Sequence, residues 1–224
     1  MHRNKLGIFV KCPAPGRVKT RLTPPLTPDQ GCELYRACIA DLSRRVARAS
    51  KYAIRVFYDG DDLSSLDGLL PERATLERQR GDTLGERLIT AFSSLLSEKS
   101  PGPAVIIGSD SPDLPLLSLK RAFQKLKHRD VVLGPTVDGG YYLVGLRRPL
   151  PALFMDIPWS DEQVFSKTLD VIEREGLKLA TLPLWYDVDS EQELRTLRES
   201  VRARRIERRD RLTALEFALA KIDR

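Results

Sequence analysis

The sequence predicts an α/β protein with a mixed, mainly parallel sheet covered by helices on both faces. Three observations carry this. Short apolar runs alternate along the chain with stretches of helical periodicity, the pattern of strand-helix-strand units. The runs are continuous, as in strands buried on both faces. One place breaks the alternation: at Asp138-Gly139-Gly140-Tyr141 a tight turn between two adjacent strands predicts an antiparallel pair. The 224 residues, 42% hydrophobic, 30% charged and 7% aromatic, are enough to bury a core and exclude disordered, collagen-like and disulfide-scaffold classes.

Residues 6–10 form the first apolar run, which leads into a Pro/Gly loop, Cys12-Pro-Ala-Pro-Gly-Arg-Val-Lys-Thr-Arg-Leu22. After Pro24-Pro25 and Thr27-Pro28, residues 29–49 read as a helix with Leu34, Cys38, Leu42 and Val46 on one stripe. Residues 52–58 read as the next strand, closed by the turn residues Asp59-Gly60-Asp61-Asp62. Leu76 begins a weak strand, and Gly81-Asp-Thr-Leu-Gly-Glu-Arg87 opens a helix carrying Leu88, Phe92, Leu95 and Leu96. Residues 104–107 are the clearest buried strand. Ser118 predicts the cap of a helix to about Lys127, followed by strands at 131–133 and 141–146. Ser160-Asp-Glu-Gln163 matches a capping box, so a helix is expected from there to about Glu175. Residues 179–188 are extended, and the chain reads as helix from Ser190 to the end.

Charge is placed unevenly. From Arg195 onward ten Lys and Arg face five Asp and Glu, leaving a net +1 for residues 1–194. A globular domain over 1–194 with a basic helical extension over 195–224 is therefore expected. Cys12, Cys32 and Cys38 include no Cys-x-x-Cys pair and fit reduced thiols. His2 and His128 stand far apart, His128 in a solvated helix end, so histidine-rich metal sites and histidine triads are poor readings. No apolar run approaches the roughly 18–20 residues that span a bilayer, and Met1 to Lys5 lead into the first strand without a cleavable signal, which predicts a cytosolic protein.

Whatever chemistry exists must use carboxylates, lysines, arginines, hydroxyls or a carboxylate-bound metal. The first loop gathers Lys11, Arg17, Lys19 and Arg21 around Gly16. Such a cluster is costly unless an anion neutralises it, and a glycine lets backbone approach a phosphate closely. A solvated basic loop is the structural alternative. Asp110 and Asp113, after a buried strand, offer oxygen ligands for Mg²⁺, although Ser, Asp and Pro are also turn residues. Asp187 and Asp189 alternate on an extended segment, so at most one faces a metal, and Asp189 or Ser190 also suits a helix cap. Asp138, Gly139, Gly140 and Tyr141 would form either a hairpin or the floor of a sugar or acceptor pocket. Gly81 and Asp82 open a helix whose free N–H groups would hold a base edge or a phosphate, or are simply capped. Trp159 lines an acceptor pocket or packs. Cys12, within the basic loop, is either a reactive thiol or a small filler.

Taken together, the ordered motifs Phe9-Val-Lys-Cys-Pro-Ala-Pro-Gly-Arg-Val-Lys-Thr-Arg-Leu22, Gly81-Asp-Thr-Leu-Gly-Glu-Arg-Leu88, Gly108-Ser-Asp-Ser-Pro-Asp-Leu-Pro115, Asp138-Gly-Gly-Tyr-Tyr-Leu143, Pro158-Trp-Ser160 and Asp187-Val-Asp189 resemble a bacterial family of GT-A-like proteins. That family is named for glycosyltransferases linked to arsenosugar biosynthesis. The Lys-Thr-Arg-Leu piece also resembles the phosphate loop of 2-phospholactate guanylyltransferases. Both resemblances imply a nucleotide-diphospho-sugar transferase fold, a Rossmann-like sheet binding a nucleotide and a divalent cation. Carried over, Lys11, Lys19 and Arg21 match phosphate-binding positions, Asp110 the first metal carboxylate, and Asp187 or Asp189 the second. Asp110-Ser-Pro-Asp113 departs from Asp-x-Asp, and Asp189-Ser-Glu-Gln-Glu193 lacks the Thr-Pro common in the nucleotidyltransferases.

The resemblance implies an Mg²⁺- or Mn²⁺-dependent transferase in which Lys19, Arg21 and Asp110 serve catalysis. Glycosyl transfer from a nucleotide-sugar to a small-molecule acceptor is expected, with nucleotidyl transfer from a nucleoside triphosphate as the alternative. A reading from another class places function in the tail, where Arg202, Arg204, Arg205, Arg208, Arg209 and Arg211 would bind nucleic acid or a partner. Against nucleic acid, Leu212, Leu215, Leu219 and Ile222 recur at heptad-like spacing, which predicts packing against the domain or a homodimer through the C-terminal helix.

Overall fold

The continuous apolar runs become the central strands of one seven-stranded sheet, because only a strand covered on both faces can bury every side chain it carries. The computed structural model describes residues 4–49, 52–97, 102–159, 161–207 and 210–223. The strands are β1 (Lys5–Lys11), β2 (Ala53–Asp59), β3 (Thr75–Arg78), β4 (Ala104–Gly108), β5 (Val131–Pro135), β6 (Tyr141–Leu146) and β7 (Leu179–Thr181). They are ordered β3-β2-β1-β4-β6-β5-β7. β1 runs parallel to β2 and β4, with Leu6 opposite Ile54 and Val105. β6 is antiparallel to both neighbours, as the Asp138-Gly139-Gly140 turn predicts. Reversal of β6 places its first residues, Tyr141 and Tyr142, beside the carboxyl end of β4, where Ile107 faces Leu143.

Alternate strand residues sort onto two faces. Ile8, Val10, Val105, Ile107 and Val132 pack under α1 (Pro28–Ala49) and α3 (Leu116–Lys125), and Phe57, Ile106, Leu133 and Val144 under α2 (Leu84–Leu95) and α4 (Val164–Arg174). The α1 stripe foreseen in the sequence divides its work. Leu42 and Val46 face the sheet, whereas Leu34 and Cys38 face a third cluster formed with α5 (Glu191–Glu207) and α6 (Thr213–Ile222).

Three expectations about helix ends need correction. Ser118 lies inside α3, whose N-cap position is Pro115, and no side chain caps that end. Ser160 lies outside the described residues; α4 starts only at Val164, with the Gln163 N–H donating to Asp161 Oδ1 at 2.9 Å. The final helix is two helices. α5 ends at Glu207 and α6 begins at Thr213; between them Asp210 lies in the left-handed region at φ 43°, its carboxylate held by Arg45 and Arg204. Leu212, Leu215 and Leu219 are buried within this chain, so those leucines cover α1 and are not available to a second subunit. Arg204 and Arg211 are paired with Asp210 and Glu216; Arg208, Arg209 and His2 lie outside the described residues. The three cysteines are buried and free, and among the described residues no helix is long and apolar enough to cross a membrane.

Asp41 ties the extension to α1. Its buried carboxylate accepts from the backbone N–H groups of Ala214 at 3.2 Å and Leu215 at 2.9 Å, capping α6 from another helix. Asp41→Ala leaves a buried donor at Leu215 and a half-buried one at Ala214 unpaired and is expected to lower stability by about 2 kcal/mol. A urea-unfolding midpoint unchanged from wild type would refute this role.

Candidate active site

Parallel strands deliver their carboxyl ends to one edge of a sheet, and the loops beyond β1 and β4 meet there. Tyr35 from α1 joins them: its hydroxyl accepts from the Lys11 N–H at 2.9 Å and pairs with Ser109 Oγ at 2.7 Å. Beyond β1, Gly16 turns the chain at φ 72° with no atom near where a Cβ would stand. Lys11, Arg17 and Arg21 are exposed around a recess of about 260 Å³, and among the described residues their side chains have no hydrogen-bond or ion-pair partner.

Lys19 differs from these three. It adopts left-handed backbone geometry, φ 52° and ψ 35°, and its side chain is 1% exposed. The ammonium bonds Asp110 Oδ1, lies 3.3 Å from Asp189 Oδ1, and sits 5.7 Å from the Tyr35 ring centroid. Burial alone would draw its pKa down, but the charges of Asp110 and Asp189 outweigh this and raise it, so the lysine is a fixed cation. Asp187 accepts from the Ser111 hydroxyl. Burial, and then the neighbouring Asp110 charge, push its carboxyl up to about 7. The Val188 N–H donates to the Asp110 carbonyl at 2.9 Å, which stitches the segment carrying Asp187 and Asp189 to the β4 loop.

Three cavities line this edge in series. One of about 430 Å³ is lined by Lys11, Tyr35, Asp59, Gln79, Asp82, Arg87, Asp110 and Tyr141. It meets the 260 Å³ recess at Lys11, Tyr35 and Asp110. The recess in turn meets a cavity of about 240 Å³ at Arg21 and Asp189, lined also by Val137, Asp138, Tyr186, Asp187, Ser190 and Glu193. A larger cavity, 710 Å³, lies at the amino ends of β1 and β2 around Lys5 and Tyr52, away from every motif loop.

Among the described residues no group of three or more His, Cys, Asp or Glu side chains is spaced to hold a metal ion by itself. The donor set nevertheless fits a hard cation. Asp110 and Asp189 keep side chains 41% and 40% exposed, and a metal such as Mg²⁺ needs only one or two protein carboxylates, with water and phosphate filling the rest.

The structure thus brings together Lys11, Arg17, Lys19, Arg21, Asp110, Asp187 and Asp189, with Asp138 and Tyr141 on adjoining walls, while Gly16 turns the basic loop without lining a cavity. Both Asp187 and Asp189 reach the site. They share the 240 Å³ cavity because the segment beyond Trp185 leaves the sheet and is not a pleated strand, while only Asp189 also lines the recess with Asp110 and Lys19. Asp113 does not line the cleft: it is 1% exposed, and its Oδ2 accepts from the Tyr186 hydroxyl at 2.6 Å. Gly139 is a packing residue at φ 87°; a Cβ there would stand 1.9 Å from the Glu162 carbonyl oxygen, and its own carbonyl accepts from Phe165 N–H at 2.8 Å. Gly140 belongs to the same turn, with its N–H facing Asp138 at 3.4 Å. Trp159 packs, edge-on to Tyr141 at 6.2 Å and against the backbone of α2 at Gly85. Gly81 and Asp82 precede a helix with a capping box between Thr83 and Glu86, and Glu86 also takes the Asp82 N–H at 2.7 Å, so that N–H is not free for a ligand. Cys12 is a buried filler, its thiol pushed up chiefly by burial.

Sequence reasoning missed Tyr35, Ser111, Gln79 and the Asp59–Arg87 ion pair at 2.7 Å. Asp59 carried a usable signal, an acid at the carboxyl end of a parallel strand. Gln79 is fixed by its amide, which donates to the carbonyls of Val10 and Phe57 at 3.2 and 3.0 Å.

Sheet order, cavity series and basic loop define a nucleotide-diphospho-sugar transferase type of fold. The chain belongs to the family DUF2064, uncharacterized protein conserved in bacteria, whose model matches residues 41–161. It is 32% identical to a solved protein of Desulfovibrio desulfuricans G20, described as a "putative nucleotide-diphospho-sugar transferase", with a TM-score of 0.88 over 100% of this chain and 98% of that one. The fold also resembles a CMP:2-keto-3-deoxy-manno-octonic acid synthetase solved with CTP, at 13% identity, TM-score 0.56, and 88% and 97% coverage. It resembles Rv0371c of Mycobacterium tuberculosis H37Rv, solved with manganese, at 14% identity, TM-score 0.55, and 89% and 100% coverage. No curated protein matches the chain.

Because the folded state raises the Asp187 pKa above the ordinary carboxylate value, it favours the protonated acid. Stability from this group is full below about pH 4 and is lost as pH rises towards 7. In EDTA, Asp187→Asn should therefore gain stability over wild type between pH 4 and 7, reaching on the order of 2–4 kcal/mol. Urea unfolding across that range checks this, and a pH-independent difference would contradict it.

Proposed function

We propose that this chain is a divalent-cation-dependent transferase with a nucleotide donor, moving a glycosyl group from a nucleotide-sugar to a small-molecule acceptor in the cytoplasm. One observation carries the reading: Lys11, Arg17 and Arg21, three cations with no counter-charge among the described residues, line the same recess as Asp110 and Asp189. Phosphate oxygens would satisfy the first group and a cation the second. The 32% identical protein described as a putative nucleotide-diphospho-sugar transferase supports the glycosyl branch. The likeness to a synthetase solved with CTP is a reason to keep nucleotidyl transfer as the second reading.

In this reading the nucleoside lies in the 430 Å³ cleft and the donor's phosphates in the recess. Lys11, Arg17 and Arg21 hold the phosphate oxygens and stabilise the negative charge that grows on them as the transferred group departs. Asp110, with Asp189 and Asp187, would hold Mg²⁺ or Mn²⁺, which when bound supplies further positive charge to those oxygens. The 240 Å³ cavity beyond Arg21 receives the acceptor, beside Asp138 and Tyr186.

The test is thermal unfolding against nucleoside triphosphates and nucleotide-sugars, with and without Mg²⁺, on wild type and Asp110→Ala. A ligand at about 100 times its Kd adds roughly 2.7 kcal/mol, a shift of several degrees. The shift should require Mg²⁺ and vanish in Asp110→Ala. With the best ligand, release of a nucleoside diphosphate marks glycosyl transfer and release of inorganic diphosphate marks nucleotidyl transfer. No shift with any nucleotide would sink the proposal.

A further inference from the structure

Lys19 was expected to face phosphate with its three basic neighbours, yet it alone of the four points inward, to carboxylates. Its orientation is set by the fold. The left-handed backbone at Lys19 opens the short 3-10 turn Thr20–Leu22, whose Leu22 is fully buried. The side chain is 1% exposed, beneath the Tyr35 ring. Asp110 and Asp189 each offer a different face to solvent, at 41% and 40% exposure. The carboxylates are thus reachable from outside while a single ammonium offsets part of their charge from inside.

Resting on the cation-site reading above, we infer that Lys19 is a built-in counter-ion that occupies the carboxylate pair in the resting protein and must yield it to a divalent cation. An ammonium and a doubly charged ion on the same oxygens repel at short range, so entry of the ion weakens at least the longer contact, 3.3 Å to Asp189. The released ammonium lies in the recess shared with Lys11, Arg17 and Arg21, where donor phosphates would receive it. Cation and donor are thereby coupled: the cation alone binds weakly because it competes with Lys19, and the donor strengthens cation binding by giving Lys19 another anion. Without a donor Lys19 stays on the carboxylates and the cation is held weakly.

The experiment is Mn²⁺ binding by electron paramagnetic resonance to the full chain without nucleotide, comparing wild type with Lys19→Met, Lys19→Gln and Lys19→Arg. Removing the charge in the Met and Gln variants should tighten the Mn²⁺ Kd about tenfold, and Arg should stay near wild type. Equal affinities in all four would overturn the counter-ion role while leaving a cation site standing. No Mn²⁺ binding to any of them, with or without nucleotide, would overturn the cation-site reading itself. A measurement on wild type covers loss of folding in the variants: in protein labelled with ¹³C at lysine Cε, the Lys19 signal, identified by its absence in Lys19→Arg, should shift as Mg²⁺ saturates. A signal that stays fixed while Mg²⁺ binds would overturn the inference.

Discussion

The contact on which the site depends is the buried ammonium of Lys19 between Asp110 and Asp189. Three carboxylates on adjacent loops repel one another, and the folded chain must offset that repulsion before any ligand arrives. Lys19 does so from beneath, and Asp187, the most enclosed of the three, is also stabilised by the Ser111 hydroxyl. The left-handed turn at Lys19, the Tyr35 ring and hydroxyl, and the link from Val188 to Asp110 are the means by which four separate chain segments meet this one charge requirement.

A second balance holds the loop that carries Asp110. The carbonyls of Pro112, Asp113 and Leu114 point into the protein, where each needs a donor. Arg45 gives one N–H to Pro112 at 2.6 Å and another to Leu114 at 2.9 Å, and Arg204 gives one to Asp113 at 2.9 Å. Asp210 pairs with both arginines. The C-terminal extension thus contributes Arg204 and Asp210 to the support of the site loop, and part of its basic character is matched by buried polar groups rather than displayed to solvent.

Much of the fold was legible. Continuous apolar runs located β1, β4, β5 and β6 to within two residues at each end, and the Asp-Gly-Gly turn gave the antiparallel break. Helix starts were less legible, because caps arise from whichever side chain is near in space: Asp41 of α1 caps α6, and Pro115 stands where Ser118 seemed better suited. In the site, charge clustering identified the basic loop and the acidic segments. It could not separate Asp110, which faces the cleft, from Asp113, three residues on and turned into the interior, since the difference is set by Tyr186 and Arg204 from distant sequence. Gly139 and Trp159 looked like pocket residues for the same reason; what fills the space beside each, Glu162 and the α2 backbone, is invisible to local pattern.

Sequence by itself determined the element types, the mixed sheet and the loops that carry charge, because these follow from side-chain periodicity, turn chemistry and residue type over short spans. Only the tertiary structure decided that Lys19 points to Asp110 and Asp189 while its three basic neighbours stay exposed, that Asp187 and Asp189 line one cavity, and that the basic tail folds back on α1. Those outcomes depend on which charges come within a few ångströms of one another and how much water remains between them. Both are properties of packed segments far apart in the chain.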